Sequence, residues 1–177
     1  MKIKLTSLTA LVFITAISNI NADTPDTNNT KVKANMEGIE LPAQYKDWKV
    51  ISASHRTDNK SMRIILGNDI AIKAARNKQT NPWPDGTILG KLVWKQVVEE
   101  NWAAAISPNP DKFIHAEFMI KDSKKYKENG TGWMWARWLG QEQKPYGDEK
   151  DLNQSCIACH TPVKGRDWVF TTPVQLP

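Results

Sequence analysis

The chain holds its only two cysteines, Cys156 and Cys159, on one short loop near its end, and sets His160 directly behind them. Few features restrict a fold as much, because whatever this loop binds must be enclosed by a domain lying almost wholly before it in sequence. A Cys-x-x-Cys-His run is the attachment signature of c-type haem. Two thiols at that spacing form thioethers with the two vinyl groups, and the adjacent histidine is delivered to the iron. Three other uses of the residues compete. A redox-active dithiol opens a helix after a strand in a βαβ unit near the N-terminus, whereas this one follows a charged connector at the far end. A structural zinc ion takes four ligands, and beyond the motif the chain offers only His55 and His115. A plain disulfide, although compatible with export, leaves His160 without a role.

Placement narrows the type of cytochrome. Small electron-transfer cytochromes carry the motif near the N-terminus and a methionine ligand downstream, and no methionine follows His160. Simple electron transfer would therefore need Met62, Met119 or Met134 as sixth ligand. The four-helix cytochromes c′ share the C-terminal placement, but the strand patterns below argue against a bundle.

At the other end, MKIKLTSLTALVFITAISNINA sets Lys2 and Lys4 before an apolar run from Leu8 to Ile17 and closes on small and polar residues at Ala22. This layout predicts a signal peptide over residues 1–22, cleaved near Ala22, and so an exported, periplasmic protein. The run is shorter than the roughly 20 apolar residues of a spanning helix, so no membrane anchor is expected after cleavage. Residues 23–38 are polar and poor in large apolar groups, and read as a flexible mature N-terminus before a single domain over 39–177. Lysines and acids alternate without a basic stripe, and the net charge is only +5, which excludes nucleic acid as a partner.

Within the domain, LPAQYKDWKVIS predicts a short helix with Pro42 in its first turn, running through Tyr45 and Trp48 before the chain extends. SMRIILG reads as a strand ended by Gly67 and Asn68, and NDIAIKAARNKQ as a helix capped by Asn68. NPWPDG is a turn. TILGKLVWKQV and KFIHAEFMIK follow as strands. The second alternates, with Ile114, Ala116, Phe118 and Ile120 on one face and Phe113, His115, Glu117 and Met119 on the other. DSKKYKENG is a polar helix or turn, TGWMWARWL a strand, GQEQKPYGDEKD a charged connector and DWVFTTPV a last short strand. The fold class is α+β, mainly antiparallel β-sheet with short helices and a C-terminal haem attachment segment.

Several side chains stand out against that frame. Lys91 shares a strand face with Leu89 and Val93 while Ile88, Leu92 and Trp94 take the other, so the strand is buried on both sides. A buried lysine is costly unless it is paired, chemically used, or able to reach water or a haem propionate. Glu117 is either a proton acceptor beside a bound substrate or a solvated strand residue, and His115 adds iron ligation to the same options. Phe113 and Phe118 fall on opposite faces, so at most one caps the iron. Arg137, on the face of Trp133 and Trp135, either contacts a propionate or a distal ligand, or stacks on indole. The eight tryptophans serve the core, a subunit interface or the haem pocket. His55 has no assignable role.

In chain order, LPAQYKDWKV, WPDGTILGKLVWK, EFMIKDSKKYKENGTGWMWARW and CIACH together resemble the cytochrome P-460 family, which includes the cytochromes c′-beta. The resemblance implies a mainly antiparallel β fold, a homodimer, and one high-spin, five-coordinate haem c with His160 as its metal ligand. It further implies either oxidation of hydroxylamine and nitric oxide, with electrons passed to a soluble cytochrome, or binding of nitric oxide without turnover. In the oxidising branch a lysine is cross-linked to the porphyrin. Lys91 matches it by its place after Asp85-Gly86-Thr87, and the cytochromes c′-beta lack the link. Glu117 matches an acidic position of that branch, where a carboxylate takes protons from hydroxylamine. An aromatic cap over the iron would instead favour small uncharged gases.

Overall fold

Period-two alternation of apolar residues folds the chain into one antiparallel meander in which every strand lies beside its sequence neighbours. The strands are β1 (Lys49–Arg56), β2 (Ser61–Gly67), β3 (Ile88–Glu99), β4 (Trp102–Lys121), β5 (Trp133–Leu139) and β6 (Lys144–Tyr146). They are joined by α1 (Asp69–Arg76) and followed by α2 (Leu152–His160). This computed structural model describes residues 33–35, 38–147 and 152–175. The predicted signal peptide lies outside the described residues, and Lys31–Pro177 form one compact unit. Among the described residues, no helix is long and apolar enough to cross a membrane. The α+β class read from the sequence is the class of this fold.

Asn68 shows how local chemistry sets an element. Its side chain accepts from the Ala71 amide at 3.0 Å and from the Ile88 amide at 3.2 Å, and donates to the Gly86 carbonyl at 2.8 Å. One residue thus caps α1 and ties its start to the start of β3.

The two faces of the sheet carry separate clusters. On one, Ile65, Leu89, Trp133 and Trp135 pack with α1, Trp83 and Val169, and Cys156, Ile157 and Trp168 join them. On the other, Leu66, Ala116, Phe118, Ala136 and Trp138 pack with Tyr45. Phe118 meets Tyr45, Trp48 and Trp138 edge-on, with ring centroids 5.5, 6.1 and 5.7 Å away. Its cross-strand partner is Gly90, where a Cβ would lie 2.8 Å from the ring.

Five local expectations differ from the structure. The strand expected over KFIHAEFMIK begins ten residues earlier, at Trp102, and passes through Pro108 and Pro110. There β4 pairs only with β3, since β5 joins it from His115 onward, and an edge position is where a strand tolerates proline. The pairing also steps from His115 opposite Val93 to Phe113 opposite Trp94, and this bulge breaks the alternation. Phe113 therefore joins the cluster of Phe118, with Trp94 5.1 Å away, instead of taking the opposite face. The charged connector contains β6, and the cysteine segment is the helix α2 rather than a loop. No strand forms over DWVFTTPV, because Asp167 and Trp168 turn the chain with φ of 50° and 65°.

Within the stretch read as a flexible N-terminus, the Lys33 carbonyl accepts from Trp138 Nε1 at 3.2 Å. Asn35 is buried and accepts from the Ile39 amide at 2.7 Å.

Candidate functional site

Helix α2 packs beside β5 and puts Cys156 and Cys159 one turn apart, with His160 at its last position. These residues border two cavities of about 440 and 630 Å³, and the walls of both include Lys91, Glu117, Trp135, Cys159 and His160. The smaller cavity adds Cys156, Arg137 and Tyr146; the larger adds Arg63, Met119 and the segment from Val169 to Thr172.

The orientation of His160 is set by its second nitrogen. Nδ1 lies 2.6 Å from the Trp168 carbonyl oxygen, which can only accept, so Nδ1 carries the proton and Nε2 keeps its lone pair. Trp135 and Phe170 hold the ring, with centroids 5.5 and 5.0 Å away. Burial pushes the imidazole pKa down further than the Trp168 carbonyl raises it, which favours the neutral ring.

Both thiols are free, and burial pushes Cys156 up to about 11. A redox-active dithiol shows the opposite, a depressed value. No three His, Cys, Asp or Glu side chains converge on a metal-sized site among the described residues, so zinc finds no ligand set there.

On the cavity wall that faces α2, the register aligns three charges. Glu117 stands opposite Lys91 on β3 and opposite Arg137 on β5, and its carboxylate forms ion pairs with both. His115 Nε2 lies 3.5 Å from the same carboxylate. Burial pushes the Glu117 carboxyl up, but Lys91, Arg137 and His115 together hold it below the usual carboxylate range. Burial brings His115 down to about 4, with Lys91 and Arg137 opposing the pull of Glu117. Arg137 also lies 5.0 Å over the Tyr146 ring, a phenol on β6 rather than an indole.

The remaining candidates separate. Phe113 and Phe118 belong to the opposite cluster. Met119 lines the larger cavity, whereas Met134 accepts from Asn153 Nδ2 at 2.6 Å. Met62 lies in β2 between His55 and Trp94. His55 is engaged with Gln96 at 2.6 Å on the surface. The sequence reading missed Arg63 and the polar row Ser52, Ser54 and Arg56, which line the larger cavity. Their signal was present, as every second residue of β1 from Ser52 is polar.

The walls suit haem. Arg63 Nε, Trp135 Nε1 and Arg137 Nε are buried without a partner among the described residues, and all three residues line the cavities. Buried donors call for acceptors, and a porphyrin with two carboxylates brings them. Two thiols one helical turn apart and an imidazole nitrogen with a free lone pair complete a donor set for that group. Residues 42–171 match the family model for cytochrome P460. The chain belongs to the cytochrome P460 family. None of the curated proteins matches it. Cytochrome P460 membership makes the chain a haem-binding cytochrome, and the matched span includes β1 to β6, α2 and nearly every residue lining the two cavities.

Proposed function

We propose that this cytochrome P460 member is an exported, mono-haem c-type protein that oxidises hydroxylamine, nitric oxide or both. Cys156 and Cys159 would hold the cofactor through thioethers and His160 Nε2 would ligate its iron, which would leave a position open to substrate. The observation that carries the reading is Glu117, an ionised carboxylate on the cavity wall between Lys91 and Arg137. Haem, when bound, supplies the iron that takes electrons from the substrate and passes them on. Oxidation of hydroxylamine also releases protons, and Glu117 is the base placed to accept them. Lys91 serves as the porphyrin cross-link, and Arg137 pairs with Glu117 or a haem carboxylate. The electron acceptor is a soluble cytochrome, and the protein works as a homodimer.

The gas-binding alternative calls for an aromatic cap and a remote lysine. Phe113 and Phe118 in the opposite cluster, and Lys91 on the cavity wall, count against it. Met119 on the wall of the larger cavity keeps simple electron transfer as a second reading.

The ferrous absorption spectrum, read with the intact mass of the haem peptide, tests the assignment. The expected result is a strongly red-shifted Soret band and a Lys91 peptide joined to haem. An ordinary high-spin spectrum without that linkage overturns the cross-link, and a low-spin spectrum overturns the open position. Glu117→Gln should slow hydroxylamine-dependent reduction of the acceptor by roughly 10²–10⁴-fold. Covalent haem surviving the loss of both cysteines would refute the attachment itself.

A further inference from the structure

Next to Trp168 in the chain, Asp167 takes part in a buried ion pair that the proposed chemistry does not use. Lys121 Nζ and Asp167 Oδ1 are 2.7 Å apart, with side chains only 7% and 9% exposed. The other carboxylate oxygen, Oδ2, accepts from the Trp83 amide at 2.8 Å. Lys121 also reaches the Thr131 carbonyl at 3.4 Å and sits 4.9 Å over the Trp133 ring. Asp167 is therefore held through both oxygens by residues of the sheet and of the turn before β3.

The fixed residue directly precedes Trp168, whose carbonyl receives the His160 Nδ1 proton. Asp167 and Trp168 both have left-handed backbone, with φ of 50° and 65°. Two successive non-glycine residues keep that conformation only where their surroundings over-determine it. The ion pair and the Trp83 amide do so on one side. On the other, the Trp168 amide donates to the Val163 carbonyl at 3.1 Å and the Val169 amide to the Arg166 carbonyl at 3.2 Å. A buried ion pair is weak as a source of stability compared with apolar packing, so its value here lies in where it holds the chain.

We propose that Asp167, anchored by Lys121, is a positioning residue for the proximal histidine: it holds the Trp168 carbonyl against His160 Nδ1 and so sets how strongly Nε2 donates to a metal. The inference rests on the reading that His160 ligates haem iron. An imidazole whose N–H is well hydrogen-bonded is a more basic ligand, and loosening that bond weakens donation. In Asp167→Asn the ion pair is lost and the cation of Lys121 is left without its counter-charge.

The test uses haem-loaded protein and two readouts apart from turnover: the ferrous iron–histidine stretching band in resonance Raman spectra, and the midpoint potential. Asp167→Asn should keep covalent haem, shift the band to lower frequency and raise the potential. The double variant Lys121→Met with Asp167→Asn leaves no stranded buried charge, should show the same two shifts, and carries the test where the single variant does not fold. Asp85→Asn, which removes one of the two carboxylate oxygens that accept from Ser123 on the surface, is the control and should leave both readouts unchanged. A haem-loaded double variant with the unsubstituted protein's band and potential would overturn the role of Asp167. Absence of the band in the unsubstituted protein would overturn the ligation reading on which that role depends.

Discussion

Replacing Gly90 with alanine should destabilise the protein, and the reason is space rather than backbone conformation. A Cβ at Gly90 would lie 2.8 Å from Phe118 Cε1 and 3.2 Å from Cδ1. The ring has no room to yield, because Phe118 is 1% exposed and three aromatic neighbours hold it edge-on. Overpacking of this kind costs about 1–3 kcal/mol. At an unobstructed strand position the same change would gain about 0.5–1 kcal/mol by reducing backbone entropy in the unfolded chain. Phe118→Ala removes the obstruction, at a cost of about 3–5 kcal/mol by itself, and in that background Gly90→Ala should become neutral or stabilising. The double-mutant cycle should therefore close with a coupling of about 2–3 kcal/mol. Guanidinium unfolding of the haem-loaded proteins, followed by far-ultraviolet circular dichroism, measures it. An equal cost of Gly90→Ala in both backgrounds would refute the steric argument. Lys91 follows Gly90 directly, so a displaced β3 would also carry that lysine away from Glu117.

Asn68→Ala should cost about 1–2 kcal/mol, at the upper end for a lost helix cap, because the side chain also bonds Gly86 and Ile88; the unfolding midpoint reads it. Stability should also fall on acidification through His115, which Glu117, Lys91 and Arg137 surround electrostatically. Its folded pKa of about 4 lies below the ordinary 6.5, so the unfolded chain takes up the proton first. The contribution is complete above pH 6.5 and is lost as the pH falls towards 4, and Glu117, held below its usual range, adds a loss in the same direction at lower pH. His115→Gln should flatten the slope of unfolding midpoint against pH between 6.5 and 4, and an unchanged slope would show that another group titrates there.

The elements legible in the sequence were those whose pattern is local. Ser61–Gly67 and Trp133–Leu139 announce themselves by composition and turn signals, and α1 by the Asn68 cap. The haem motif and the row joining Lys91, Glu117 and Arg137 were legible as residues, yet only register shows that the three charges meet at one carboxylate. The outer half of β4 was hidden because Pro108 and Pro110 are poor strand formers, tolerated there by the edge. The bulge that moves Phe113 into the cluster of Phe118 has no sequence mark, since pairing with β3 decides it. The Asp167 anchor was equally invisible, its partners being 84 and 46 residues away.

The unequal flanking of β4 has a consequence for how the molecule opens. From His115 to Lys121 the strand is paired on both sides, while its outer half has β3 alone and carries Trp102 at 69% exposure and Ile106 at 43%. Amide hydrogens along this single strand should therefore exchange in two regimes. Those near Trp102 escape through local fraying of the hairpin, and those around Glu117 escape only when the sheet opens as a unit. The carboxylate proposed for proton transfer thus sits on backbone as persistent as the fold itself, on the same strand as backbone that frays at its far end.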